Sequence, residues 1–209
     1  MKKLIFSLFL FLSVRMINAQ INAITESGDE VVLLEDGTWK YLHEEEHEET
    51  EVPLNQQIFS KSALSTFLVK SSKVNVGIWI NPKVWTFTKG GANDVFEYQF
   101  RKKQDDLYAI LITERLQIPI ESLKTIAIEN AKKAAPDIKV VKEEYRMVNG
   151  QKVLLMQLAG TIQGIKFVYY GYYYSNESGT IQLLTYTSEN LLKSNLLDIE
   201  LFLNGFVSF

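Results

Sequence analysis

The 209-residue chain has two histidines, and they stand four residues apart in His43-Glu44-Glu45-Glu46-His47. This spelling matches H-E-x-x-H. In that pattern two histidines one helical turn apart hold zinc, and the glutamate acts as general base. The chemistry requires a helix with one face buried beside a cleft, and a third ligand. Residues 43–51 contain six acids and no apolar residue. No face is therefore available for burial, and the third ligand would have to be another carboxylate. We read the run as a solvated acidic linker with weak, opportunistic metal affinity. A metal-dependent hydrolase using His43 and His47 stands as an alternative, and no cofactor is expected.

Other reactive constellations are sparse. There is no cysteine, which excludes disulfides, thiolate metal sites and thiol nucleophiles. Gly160-Thr161-Ile162-Gln163-Gly164-Ile165-Lys166 has the wrong spacing for a phosphate loop and lies between strand-like runs, where such a loop must open a helix. Asp105-Asp106 and Glu143-Glu144 are adjacent pairs. Neighbours on a strand point to opposite faces, so both are read as solvated surface rather than acid/base couples. Asn176-Glu177-Ser178 fits a glycosylation sequon but reads as a turn. Aromatic residues are the better candidates for a surface site. Tyr170, Tyr172 and Tyr174 fall at period two on one strand, with Trp79 and Trp85 upstream. Such residues serve interfaces and sugar-stacking surfaces, although large aromatics also dominate cores.

These side chains belong to an organised chain. Lys2 and Lys3 precede an apolar run from Leu4 to Leu12, followed by small and polar residues ending at Ala19-Gln20. That order predicts a secretory signal peptide cut after Ala19, and the run is too short to span a bilayer. Removing residues 1–19 takes Lys2, Lys3 and Arg15, leaving 19 basic against 25 acidic residues. An acidic chain repels phosphate backbones, so nucleic acid is not an expected partner. The expected location is periplasmic or secreted, without a membrane anchor after cleavage. Oligomeric state is left open.

Residues 20–42 read as a small β unit, with turns at Ser27-Gly28-Asp29 and at Asp36-Gly37. About 20 residues are too few to bury a core alone, so Trp39 is expected to pack on the main domain or the unit to act as a docking element. Residues 43–57 are the linker, and residues 58–209 the main domain. Strands are expected at Val74–Ile80, Trp85–Phe87 and Leu107–Leu116. Val95–Arg101 alternates, with Phe96, Tyr98 and Phe100 inward and Glu97, Gln99 and Arg101 outward. Pro119 and Pro136 bracket a helix whose apolar face is Leu123, Ile126, Ala127, Ala131 and Ala134. Asn149-Gly150 is suited to a two-residue hairpin turn. A second hairpin turns at residues 176–179. A final helix starts near Ser188, with a stripe of Leu192, Leu196, Ile199, Leu203 and Phe206, and ends at Asn204-Gly205. The class is α+β: a mainly antiparallel sheet flanked by helices. The tyrosine-rich strand carries aromatics on both faces, which predicts a central strand covered on both sides.

The segment IWINPKVWTF resembles the opening strand of PsbP-like domains, which include DcrB-type exported proteins. AILITERLQIPIESLKTIAIENAKK, the two central hairpins and NLLKSNLLDIELFLNGF resemble the elements that follow in that family. VVLLEDGTWKYL, outside this region, resembles an N-terminal D-G-T-W motif of exported Bacteroidetes proteins. The main resemblance implies an α-β-α sandwich that binds partners or acts in assembly, without catalytic residues common to the family. The expected function is an exported, non-enzymatic binding or assembly domain with an envelope or secreted protein partner. A small-molecule or glycan binder using the aromatic strand is the alternative.

Overall fold

A computed structural model describes residues 21–24, 30–34, 37–41 and 51–209. The signal-like segment, the expected turn at residues 27–29 and both histidines lie outside the described residues. The chain divides into two compact units, residues 1–50 and 51–209. In the first, β1 (Ile21–Ile24), β2 (Glu30–Leu33) and β3 (Trp39–Tyr41) form an antiparallel meander in sequence order. The tight β2–β3 turn closes with Gly37 N donating to Leu34 O at 3.1 Å. Gly37 sits at φ +83°, a region glycine enters without steric cost.

The second unit is built on an eight-stranded sheet. Its strands are β4 (Leu54–Phe59), β7 (Trp85–Lys89), β8 (Tyr98–Lys102), β9 (Tyr108–Glu114), β10 (Lys139–Val148), β11 (Gln151–Ile162), β12 (Ile165–Asn176) and β13 (Gly179–Ser188). Their order is β4-β10-β11-β12-β13-β9-β8-β7. Only the β4–β10 pair is parallel. Two helices, α1 (Ile120–Ala134) and α2 (Glu189–Leu203), accompany a small sheet of order β14-β6-β5, where β5 is Phe67–Lys70, β6 Val76–Ile80 and β14 Phe206–Ser208. This is the expected α+β class.

Strand alternation sorts side chains into two cores. On one face Leu154, Met156, Leu158, Tyr173 and Leu184 pack with Leu123 and Ala127 of α1. On the other, Val153, Leu155, Tyr170, Tyr172 and Leu183 pack with Ile199, Phe202 and Leu203 of α2, and with Val76, Ile78 and Ile80 of the small sheet. The tyrosine-rich β12 is thus central and covered on both faces, as predicted. Hydrophobic burial drives this arrangement, each large side chain contributing about 1.5–3 kcal/mol.

Turn chemistry fixes the registers of the long hairpins. Asn149 and Gly150 lie at φ +48° and +84°, so β10 and β11 pair without a longer loop. Gln163 and Gly164 adopt the same hand between β11 and β12, making residues 160–166 a plain hairpin. Asn149 also donates through Nδ2 to the Asn204 and Phe206 carbonyls, at 2.8 and 2.7 Å. One turn residue therefore ties the hairpin to the end of α2.

Several local expectations are corrected. β4 begins at Leu54, inside the stretch expected as linker: Pro53 O accepts from Tyr145 N, and Phe59 O from Asn149 N. On α1 the buried positions are Leu123 and Ala127, while Ile126 is exposed. On α2 the buried stripe is Asn195, Ile199, Phe202 and Leu203, while Leu196 is exposed. Phe206 belongs to β14, not to the helix. Gly205 makes the change of direction possible, since a side chain there would meet the Trp79 carbonyl oxygen at 2.0 Å.

Candidate functional site

The sheet face beneath α2 carries an unexpected charged cluster. β10 presents Glu144 and Arg146 on this side, and Glu143 on the other, where it pairs with Lys124 of α1. The two glutamates do point to opposite faces as predicted, but each is in an ion pair rather than free in solvent. Arg146 is 3% exposed. Its Nε donates to Glu144 Oε1 and one Nη to Glu200 Oε2 of α2, both at 2.6 Å. It also donates to the Tyr172 hydroxyl at 3.3 Å and the Tyr170 hydroxyl at 3.1 Å, reaching across the intervening β11. Tyr170 then donates to Glu200 Oε1 at 2.6 Å, and Tyr172 to Asn204 Oδ1 at 2.8 Å. The guanidinium lies 4.3 Å over the Phe59 ring.

Electrostatics fix the protonation states. Burial disfavours the ionised form of Glu144, but Arg146 and the Asn55 amide outweigh it and hold the carboxyl below its ordinary range. Burial likewise opposes the charge on Arg146, and Glu200 more than restores it. Burial raises the Tyr170 and Tyr172 hydroxyls well above their ordinary value, so both remain hydrogen-bond donors. Lys142 Nζ, 3.3 Å from Glu144 Oε1, supplies a second cation for the two carboxylates, and the cluster is a charge-balanced weld between sheet and helix.

One acid, Glu97, is fully buried at 3% exposed, contrary to its expected outward position. It precedes β8 rather than lying within it, and hydroxyls replace water around it. Its carboxylate accepts from Ser71 Oγ, Ser72 N, Ser72 Oγ and Thr113 Oγ1 at 2.6, 2.6, 2.8 and 2.7 Å. Burial acts to raise its pKa, but these bonds win and lower it.

The sequence-predicted aromatic ladder is not displayed to solvent. Tyr170 and Tyr172 share a face with Tyr174, as period two requires, but α2 closes that face over them. An open glycan platform on these two rings is therefore incorrect. Tyr174 is half-buried, packs 5.3 Å from Phe206 and donates to Gln151 Oε1 at 3.0 Å. Trp79 is half-buried beneath the Lys61 ammonium, 5.0 Å from its ring.

Trp85, itself buried, lines a cleft. The cleft, of about 120 Å³, runs between α2 and the segments around residues 62–65 and 81–85. Its floor is Trp85 against Phe202, ring centroids 4.3 Å apart. Leu64, Val84 and Leu201 add apolar wall; Ser62, Ser65, Asn81 and Asp198 supply polar atoms. Asp198 is neutralised by Lys102 at 2.7 Å, and Lys102 also holds Asp105 at 2.8 Å and donates to the buried Asn195 at 3.0 Å. The arrangement suits recognition of a small apolar group. Among the described residues no group of three or more His, Cys, Asp or Glu is placed to hold a metal ion.

No family model matches the chain, and no curated protein does either. Among solved structures, cyanobacterial PsbP (CyanoP) from Synechocystis sp. PCC 6803 matches with a TM-score of 0.55 at 13% identity, covering 71% of this chain and 95% of that one. A protein of unknown function, PA94 from Pseudomonas aeruginosa, matches at TM-score 0.42 and 13% identity, over 64% of this chain and 90% of that one. At such identity the first match speaks to architecture alone, and it agrees with the central sheet and flanking helices described above: the chain has a PsbP-like α+β fold.

Proposed function

We propose that this chain is an exported, non-enzymatic binding or assembly domain, with an envelope or secreted protein as its partner. The observation that carries the reading is the disposition of its ionisable groups. The buried Arg146 and Glu97 and the half-buried Glu144 are spent on one another and on neighbouring hydroxyls. The open cleft instead offers an aromatic floor, apolar walls and a carboxylate held in an ion pair with Lys102. A binding surface needs an apolar anchor pocket with a polar rim; a catalytic site needs an ionisable group poised toward substrate. The signal-like start of the sequence supports export.

Site-specific photo-crosslinking tests this. A photoreactive residue replaces Leu201 at the cleft, and in a control replaces Ile165 beside the Gln163-Gly164 hairpin, in the chain tagged after Phe209. A discrete adduct from the cleft position alone, in the cells that make the protein, is the expected result. Saturable hydrolytic turnover by the purified protein, or identical adducts from both positions, would overturn the reading.

A further inference from the structure

We propose that the cleft between α2 and the segments around residues 62–65 and 81–85 receives one apolar side chain of an acidic protein segment. This rests on the binding reading above and names the partner's chemistry.

Size sets the first limit. A space of about 120 Å³ holds a single side chain, not a cofactor or an oligosaccharide; ligand pockets of that kind start at roughly 300 Å³. The rim is apolar and outward-facing. Leu64 is 66% exposed and Leu201 37%, while Leu197, one helical turn from Leu201, is 71% exposed. These side chains extend the cleft into a contact strip rather than a closed pocket.

Ser65 supplies the second observation. It lines the cleft, and its hydroxyl, which makes no hydrogen bond among the described residues, is open to solvent there rather than sealed in the interior. A donor held at the edge of an apolar pocket is placed for an acceptor brought by a partner, a peptide carbonyl or a carboxylate.

Charge decides the partner's sign. Lys61 adjoins Ser62 and donates to the Ser62 and Ser65 carbonyls. Lys83 lies between the lining residues Asn81 and Val84, and Lys103 donates to Pro82 O at 2.9 Å. None of these three ammonium groups is in an ion pair among the described residues. The one lining acid, Asp198, shares Lys102 with Asp105, so with Lys61, Lys83 and Lys103 four cations stand against two carboxylates. The chain carries net charge −3, so this cationic rim departs from the molecule's overall sign. An acidic segment is steered to it, and the leucine strip then excludes water from the contact.

The test uses the whole chain and two capped peptides. One has Leu-Phe at its centre flanked by aspartates; the other has the same centre flanked by lysines. Indole and leucine-methyl NMR signals report binding. The acidic peptide is expected to shift the Trp85, Leu64 and Leu201 signals saturably, and to bind at least about tenfold tighter than the basic one. Leu201→Glu and, separately, the double change Lys83→Glu with Lys103→Glu should each weaken it about tenfold; both alter exposed positions, so folding is retained. Equal affinity for the two peptides, no saturable shift, or binding indifferent to both variants overturns the proposal. If it fails while photo-crosslinking at Leu201 still yields a discrete adduct, the binding function stands and only the acidic assignment falls. If both fail, the cleft is not a binding site.

Discussion

Arg146→Met removes the centre of the weld under α2. The substitution keeps most of the side-chain volume and the packing on Phe59, so what is lost is electrostatic. Four groups lose a donor at once: Glu144, Glu200, Tyr170 and Tyr172. Arg146 is 3% exposed, and water cannot take its place without opening the helix–sheet interface. Breaking a buried ion pair by deleting one partner costs about 3–5 kcal/mol. For a domain of this size each kcal/mol lowers Tm by about 2–4 °C, so the fall is on the order of 10 °C. Urea titration followed by tryptophan fluorescence and circular dichroism measures it. Glu200→Gln completes a double-mutant cycle, with an expected coupling of about 1–3 kcal/mol between the two positions. A loss under about 1 kcal/mol for Arg146→Met, or zero coupling, would refute the reasoning, because an interior cation with these partners cannot be that cheap to lose.

Other outcomes follow from the same structure. The Glu97 carboxyl titrates below its ordinary value of 4.5, so the stability it lends is full above that pH and fades as pH falls through the folded-state value; acid unfolding of Glu97→Gln should be less steep below about pH 4.5 than that of the parent. Leu123→Ala should cost about 2–4 kcal/mol, whereas Ile126→Ser should stay within about 0.5 kcal/mol, reporting the true buried face of α1 by denaturant titration. Gly205→Ala drives a methyl into the Trp79 carbonyl and should cost about 1–3 kcal/mol in the same assay. Asn149→Ala strips the bridge to the Asn204 and Phe206 carbonyls and should lower the unfolding free energy by about 1–2 kcal/mol, with backbone amide exchange rising in β14.

What was legible in the sequence was what local chemistry decides. Asn149-Gly150 forces its own turn, and Pro119 and Pro136 bracket α1 regardless of its surroundings. The tyrosine run declared a strand covered on both faces because it left no polar side. What failed depended on distance or on mimicry. β4, Leu-Asn-Gln-Gln-Ile-Phe, is an edge strand with little burial, so it shows no alternation and reads as linker. Phe206 stands three residues after Leu203 and so counterfeits a further helical position, although Gly205 has already turned the chain. The α2 stripe was misphased because Asn195 is buried for its bond to Lys102, a preference no hydropathy pattern carries. The weld was invisible for the same reason: Glu200 lies 54 residues beyond Arg146, and nothing near either residue names the other. At the cleft, Trp85 was found by its type alone. Ser65 and Leu201 carry no signal until α2 is laid beside them.

β14 pairs Phe206 with Ile78 and Ser208 with Val76, and Gly205 O accepts from Trp79 N at 2.8 Å. During synthesis, a chain emerging from its N-terminal side therefore holds β6 with one edge open through more than a hundred further residues. The hairpins of β10 to β13 can zip as they appear, since their partners are sequential neighbours. The small sheet and the seat of α2 cannot close until residues 206–208 arrive, and joining points so far apart carries the loop-closure entropy that slows nucleation. A nascent chain of this fold leaves that edge of β6 unpaired, and open to chaperones, until β14 clasps the strand made long before it.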